Sequence, residues 1–141
     1  MVWGAIGVDG VGSLHRCVGT LNQHKYIEML EQYRDYFHDT ILVQDNAPSH
    51  STLNVRNWLH HHNISTLCIP PLSPDLNPIE NVWRIMKHRI QGKRFTSIDE
   101  LWNELQIQWN TIPLSYLETL FISMPHRVNQ IVRHNGGPTH Y

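Results

Sequence analysis

The sequence has almost no cysteine. Cys17 and Cys68 stand in separate apolar stretches with no Cys-x-x-Cys pair, which excludes a zinc knuckle and a disulfide-stapled small fold and points to a reducing compartment. Long apolar runs are missing too. None approaches the roughly 20 residues that span a bilayer, and the N-terminus lacks the charged-then-apolar order of a signal peptide, so a soluble, intracellular protein with no membrane partner is expected. Net charge is nearly absent: 11 Lys and Arg against 12 Asp and Glu give −1. Attraction of the whole molecule to nucleic acid is thereby excluded, and any such binding must come from a local patch. Repeats, linkers and low-complexity segments are absent as well. What is present is 40% hydrophobic residues and five Trp in 141 residues, enough for a single domain over 1–141 with one core.

The apolar pattern sets out the elements. Val2–Gly7 and Ser13–Val18 flank Asp9-Gly10 and Gly12 and predict a hairpin. Tyr26, Ile27, Leu30, Tyr33 and Phe37 recur at helical spacing after Asn22, a predicted N-cap. Ile41–Gln44 predicts a strand with Asp45 at its C-terminal end, and a helix through Leu53, Val55, Trp58 and Leu59 follows Ala47-Pro48-Ser49. A strand over Thr66–Ile69 runs into Pro70-Pro71-Leu72-Ser73-Pro74, whose prolines forbid continued helix or central strand. A third helix should start at Pro78, capped by Asn77, with Ile79, Val82, Trp83, Met86 and Ile90 as its apolar stripe. Ser97-Ile98-Asp99-Glu100 reads as a capping box opening a fourth helix, with Ile98, Leu101, Trp102, Leu105 and Trp109 buried. A fifth helix begins near Pro113, Pro125 interrupts it, and a last short helix ends before Asn135-Gly136-Gly137. Strands alternating with helices, then helices alone, predict an α/β layered domain with a helical C-terminal third.

Two segments carry the most information: Gln44-Asp45-Asn46-Ala47-Pro48-Ser49-His50 and Ser73-Pro74-Asp75-Leu76-Asn77-Pro78-Ile79-Glu80-Asn81-Val82-Trp83. Both resemble signatures of the Tc/mariner transposases of the DDE (Asp-Asp-Glu) superfamily. There, an Asp-Asn-x-Pro-x-His segment holds the second catalytic Asp, and a Ser-Pro-Asp-Leu-Asn-Pro-Ile-Glu segment ends in the catalytic Glu. Asp45 and Glu80 match those positions, with 34 residues between them, the spacing of the Tc branch. Weaker agreement runs from Trp3-Gly4 through Ser123-Met124-Pro125-x-Arg127 to Thr139-x-Tyr141, so the resemblance covers nearly the whole chain. It implies an RNase H-like mixed sheet flanked by helices, and a DNA cleavage and strand-transfer activity dependent on Mg2+ or Mn2+. It also implies work in the nucleus on transposon ends and target DNA, with a second copy of the chain as a further partner.

The chemistry asks for these residue types. In-line attack on phosphorus is served by two divalent ions roughly 3.5–4 Å apart, and such hard ions take oxygen ligands from Asp and Glu. A strand end and a helix start are rigid supports for them. Plainer readings stand beside this. Glu80 could close a capping box with Asn77 or pair with Arg84, and Asp45 could be a turn former. Asn46 and His50 either orient a carboxylate or phosphate, or shape the turn and the next helix start. Asp75 reads as a turn residue rather than a ligand.

Five cations, Arg84, Lys87, Arg89, Lys93 and Arg94, lie between Asn81 and Ile98 with no acid among them. This is the local patch that net charge demands. Arg84, Lys87, Lys93 and Arg94 are the candidate phosphate contacts, the first two on the helix face of Glu80; a solvated basic face is the alternative. His60-His61-His62 has no partner spaced for zinc and reads as a polar helix end. The Trp and Tyr residues fall mainly on apolar stripes, as core.

In the family the first catalytic Asp lies on a strand before the Trp-Gly strand, in the middle of the sheet. No residue here matches it, and Asp9 sits in a hairpin turn. The chain therefore reads as a partial catalytic domain without that central strand and without the family's N-terminal helix-turn-helix domain, and whether it is an enzyme stays open. The alternatives are a non-catalytic remnant acting in DNA binding or interaction, and an RNase H-like hydrolase of another substrate.

Overall fold

The computed structural model describes residues 1–37 and 39–134. The chain forms two compact units, one of Met1–Val2 with Cys17–Ser73, the other of Trp3–Arg16 with the chain from Pro74 onward.

In the first unit, helix α1 (Gln23–Gln32) starts where predicted, because the Asn22 side chain accepts from the Lys25 N–H at 3.0 Å. It stops short of Phe37, and the remaining residues form a 3-10 turn over Arg34–Phe37. Strand β3 (Ile41–Gln44) pairs in parallel with β4 (Ser65–Cys68), Ile41 facing Ser65 and Gln44 facing Cys68. Helix α2 (Leu53–His61) connects them. It begins later than predicted because Thr52, not Ser49, is the cap, its hydroxyl accepting from the Val55 N–H. It ends on Asn63 in the left-handed region, φ 55, with Ile64 N–H bonded to the Leu59 carbonyl and Asn63 N–H to that of His60. This double closure satisfies the last carbonyls and turns the chain into β4. Tyr26, Met29, Leu30, Val55 and Leu59 are buried, and α1 packs against α2. His62 closes α2, bonding the Trp58 carbonyl and stacking on the Trp58 ring, whose Nε1 donates to Glu31.

In the second unit, β1 (Val2–Gly7) and β2 (Gly10–Arg16) form the predicted hairpin. A 3-10 turn over Pro74–Leu76 leads to α3 (Ile79–Ile90), followed by α4 (Ile98–Asn110) and α5 (Leu114–Arg133). The core is Val82, Met86, Trp109, Ile112, Leu117 and Leu120, with Trp83 stacked on Trp109 at 5.1 Å between ring centres. The Trp109 indole donates to the Gly12 carbonyl at 2.7 Å, tying β2 to α4.

Three expectations need correction. Pro125 does not interrupt α5, which is one helix of 20 residues; burial of Leu117 and Leu120 before it and Arg127 after it holds both halves in line. Asn77 does not cap α3: it is buried, the cap position is Pro78, and no side-chain cap bond forms. Ile98 is exposed rather than in the core. The described strands form two pairs, β1 with β2 and β3 with β4. The segment predicted to end the last helix, Asn135-Gly136-Gly137, and the Thr139 and Tyr141 matches lie outside the described residues. No described helix is long and apolar enough to cross a membrane, and Cys17 and Cys68 are both free.

Candidate active site

Asp45 follows directly on β3, in the first unit. Its Oδ1 accepts from the Ala47 N–H at 3.1 Å and lies 2.6 Å from His50 Nδ1. A turn brings His50 back, with its own N–H bonded to the Ala47 carbonyl. The Asp45 side chain remains 56% exposed while its Oδ1 is held from within. This is the arrangement of a ligand oriented by its neighbours.

His50 is itself confined. Its ring lies on that of Tyr26, 4.0 Å between centres, and its Nε2 is buried with no hydrogen-bond partner among the described residues. Tyr26 is 1% exposed, and its hydroxyl donates to Gln44 Oε1. Burial first, and the Asp45 charge second, push that hydroxyl far above its ordinary range, so Tyr26 stays a neutral donor. In the sequence Tyr26 stood only on an apolar stripe; nothing in the spacing signalled that its ring supports His50. The Asn46 amide donates to the Ile69 carbonyl at 2.8 Å, joining the ends of β3 and β4.

Glu80 is in the second unit, on the first turn of α3. It borders a shallow cavity of about 200 Å³ together with Pro74, Asp75, Asn81 and Arg84. Asp75 lies in the 3-10 turn, as a turn former should. Behind this rim is a fully buried cation, Arg127, which donates to the Asp75 carbonyl, the Asn81 Oδ1 and the Ser123 hydroxyl. Sequence reasoning missed its role. The signal available was a charged residue on the apolar face of α5, inside the Ser-Met-Pro-x-Arg segment.

The predicted basic patch divides. Arg84, Lys87 and Arg94 are exposed and make no ion pair among the described residues. Lys93 pairs with Glu104, and Arg89 bonds the Gln108 carbonyl and Thr111 hydroxyl, fastening α3 to α4. Among the described residues no group of three or more His, Cys, Asp or Glu is placed to hold a metal ion.

Residues 1–102 match the family described as DDE superfamily endonuclease. Over the whole chain the sequence is 33% identical to the transposable element Tcb1 transposase of Caenorhabditis briggsae, spanning 54% of that protein. The chain thus spans about half the length of that curated relative. Among solved structures, the Mos1 transposase catalytic domain with raltegravir and Mg superposes with a TM-score of 0.86 at 23% identity, over 98% of this chain and 76% of that one. The Mos1 strand transfer complex gives 0.88 at 24%, over 98% and 43%. The fold is accordingly RNase H-like. Family match, relatedness along the full chain and shared fold agree: the chain belongs to the DDE superfamily endonucleases, on their Tc/mariner transposase branch.

Proposed function

We propose that this chain supplies part of the catalytic centre of a DNA transposase, with Asp45 and Glu80 each as a carboxylate ligand to a divalent ion, Mg2+ or Mn2+. The observation that carries this reading is the Asp45 carboxylate, fixed through Oδ1 by His50 and the Ala47 N–H at the end of a strand, on a side chain that stays 56% exposed. The donor set fits a hard ion, since both residues offer carboxylate oxygen and stand on rigid elements. When bound, the ion polarises a phosphodiester and lowers the pKa of attacking water. The protein's own part is to orient the ligands. His50 and the Ala47 N–H hold Asp45 in one rotamer, and the first turn of α3 presents Glu80. Arg84, Lys87 and Arg94 engage DNA phosphates beside them, with Lys93 contributing less because Glu104 offsets its charge. DNA is then the partner, transposon ends and target alike, with a second copy of the chain as a further one, and the nucleus is the compartment.

The test is manganese binding to 1–141, read by water-proton relaxation, beside Asp45→Asn and Glu80→Gln. Each substitution should weaken binding at least tenfold, in line with loss of a ligand. Binding unchanged by either would remove that residue from the centre. A second reading, a non-catalytic DNA-binding remnant, is favoured by the want of a third ligating side chain among the described residues. It predicts salt-sensitive DNA binding that neither substitution alters.

A further inference from the structure

Among the described residues of the second unit, Arg127 is the one cation that is 0% exposed, and its hydrogen bonds run to a particular place. A guanidinium taken out of water must be compensated on all sides, or its burial is strongly destabilising. The compensation here converges on the segment that carries Glu80. Nη1 donates to the Asp75 carbonyl at 3.0 Å and to the Asn81 Oδ1 at 2.9 Å, so a single nitrogen binds the chain on both sides of Glu80. Nε donates at 2.9 Å to the hydroxyl of Ser123, one turn earlier on α5. That hydroxyl is itself aimed by donation to the Leu120 carbonyl at 2.6 Å. The Glu80 N–H bonds back to Asn77, and Asn81 to Pro78, so the turn bearing Glu80 is tied internally as well.

We propose that Arg127 is a positioning residue for Glu80: its buried guanidinium locks the Asp75–Asn81 segment against α5 and so sets the direction in which the Glu80 carboxylate is presented. The inference rests on the reading of Glu80 as a metal ligand. Its physical basis is pre-organisation: a ligand has to be held within about 0.5 Å, and a misplacement on the order of 1 Å can cost about a hundredfold in rate. The start of α3 has no side-chain cap bond of its own, and charge-assisted bonds from a rigid planar fork add the missing restraint. Lysine cannot replace it, because an ammonium on a flexible stem reaches the carbonyl or the amide without fixing the angle between them.

The experiment compares Arg127→Met, Arg127→Lys and Ser123→Ala with Leu120→Ala, a core truncation on the same helix, and with Glu80→Gln, all in 1–141. Two quantities are read: amide hydrogen exchange over residues 76–82, and manganese affinity by water-proton relaxation. Arg127→Met should speed exchange in that segment and weaken manganese about tenfold, the size expected when an orienting partner is lost. Arg127→Lys should fall short of rescue, and Ser123→Ala, which keeps the charge and removes only one acceptor, should move both readouts less but in the same direction. Leu120→Ala should lower the melting temperature while leaving manganese affinity unchanged. Should Arg127→Met and Ser123→Ala bind manganese like the parent, the inference is overturned while the ligand reading stands, provided Glu80→Gln abolishes binding. Equal losses in Leu120→Ala and Arg127→Met would reduce Arg127 to general stability and also overturn it. Wild-type affinity in Glu80→Gln would overturn the ligand reading, and this inference with it.

Discussion

At the residue scale the informative contacts are those that restrict a side chain's freedom. His50 is held in a narrow slot by the Tyr26 ring and by Asp45, so its contribution is orientation. His50→Ala should weaken manganese binding about tenfold while leaving the melting temperature within a few degrees, because neighbours that orient a ligand typically carry 10–100-fold in affinity. A titration of that variant at fixed pH checks it; parent-like affinity would assign His50 to the turn alone. Gly4 is restricted in the opposite sense, by what surrounds it. A Cβ there would stand 2.8 Å from Trp109 Cη2 and 3.1 Å from Trp83 Cη2, and the two indoles are already stacked. Gly4→Ala should therefore cost about 1–3 kcal/mol by overpacking, measured as a lowered urea midpoint with an unchanged slope. This gives the Trp3-Gly4 match a physical cause: the glycine is where the hairpin approaches the two tryptophans.

At the scale of elements, helix starts decide how far the sequence could be read. Ser97 caps α4 as predicted, its hydroxyl accepting from the Glu100 N–H at 3.0 Å, while Glu100 returns to the Thr96 N–H and hydroxyl. The Thr96 N–H, then its hydroxyl, hold the Glu100 carboxyl below its ordinary range. A carboxyl lowered on folding adds stability that is complete above its unfolded pKa and lost as pH falls through the folded one. Glu100→Gln should accordingly flatten the acid limb of a melting-temperature profile against pH and leave the limb above neutrality unaltered. An unchanged acid limb would show that the box contributes nothing through charge. Where a local signal stood alone, as at Asn22 and Ser97, the sequence was legible. It was not where tertiary packing overruled the signal. Asn77 had the composition of a cap but is buried. Pro125 had that of a break, but Leu117, Leu120 and Arg127 bury both flanks of a continuous helix. Asp45 and Glu80 could be picked out because two long motifs fix them. Tyr26 and Arg127 could not, since only the fold brings a ring against His50 or a guanidinium against Asn81.

For the whole molecule, a net charge of −1 makes DNA binding a local affair. Each exposed cation that engages a phosphate releases counterions, and the dependence of affinity on salt steepens by about 0.9 per contact. Arg84→Ala, Lys87→Ala and Arg94→Ala should each reduce that slope by up to about 0.9, and Lys93→Ala by less, because its charge is already paired with Glu104. Equal slopes in parent and triple variant would assign these residues to a solvated face. Catalysis is the more demanding test. In-line transfer requires attacking and leaving oxygens to be stabilised together, and among the described residues no cluster of three or more ligating side chains exists to fix the ions for it. On the proposed reading Asp45 and Glu80 supply two carboxylate ligands, enough for weak binding and too few to fix two ions for in-line transfer. The 141-residue chain should therefore bind manganese yet show no strand transfer on transposon-end DNA, assayed beside Asp45→Asn and Glu80→Gln as blanks. Metal-dependent joining by the parent that both substitutions abolish would refute this, and would mean that a side chain other than these two completes the centre.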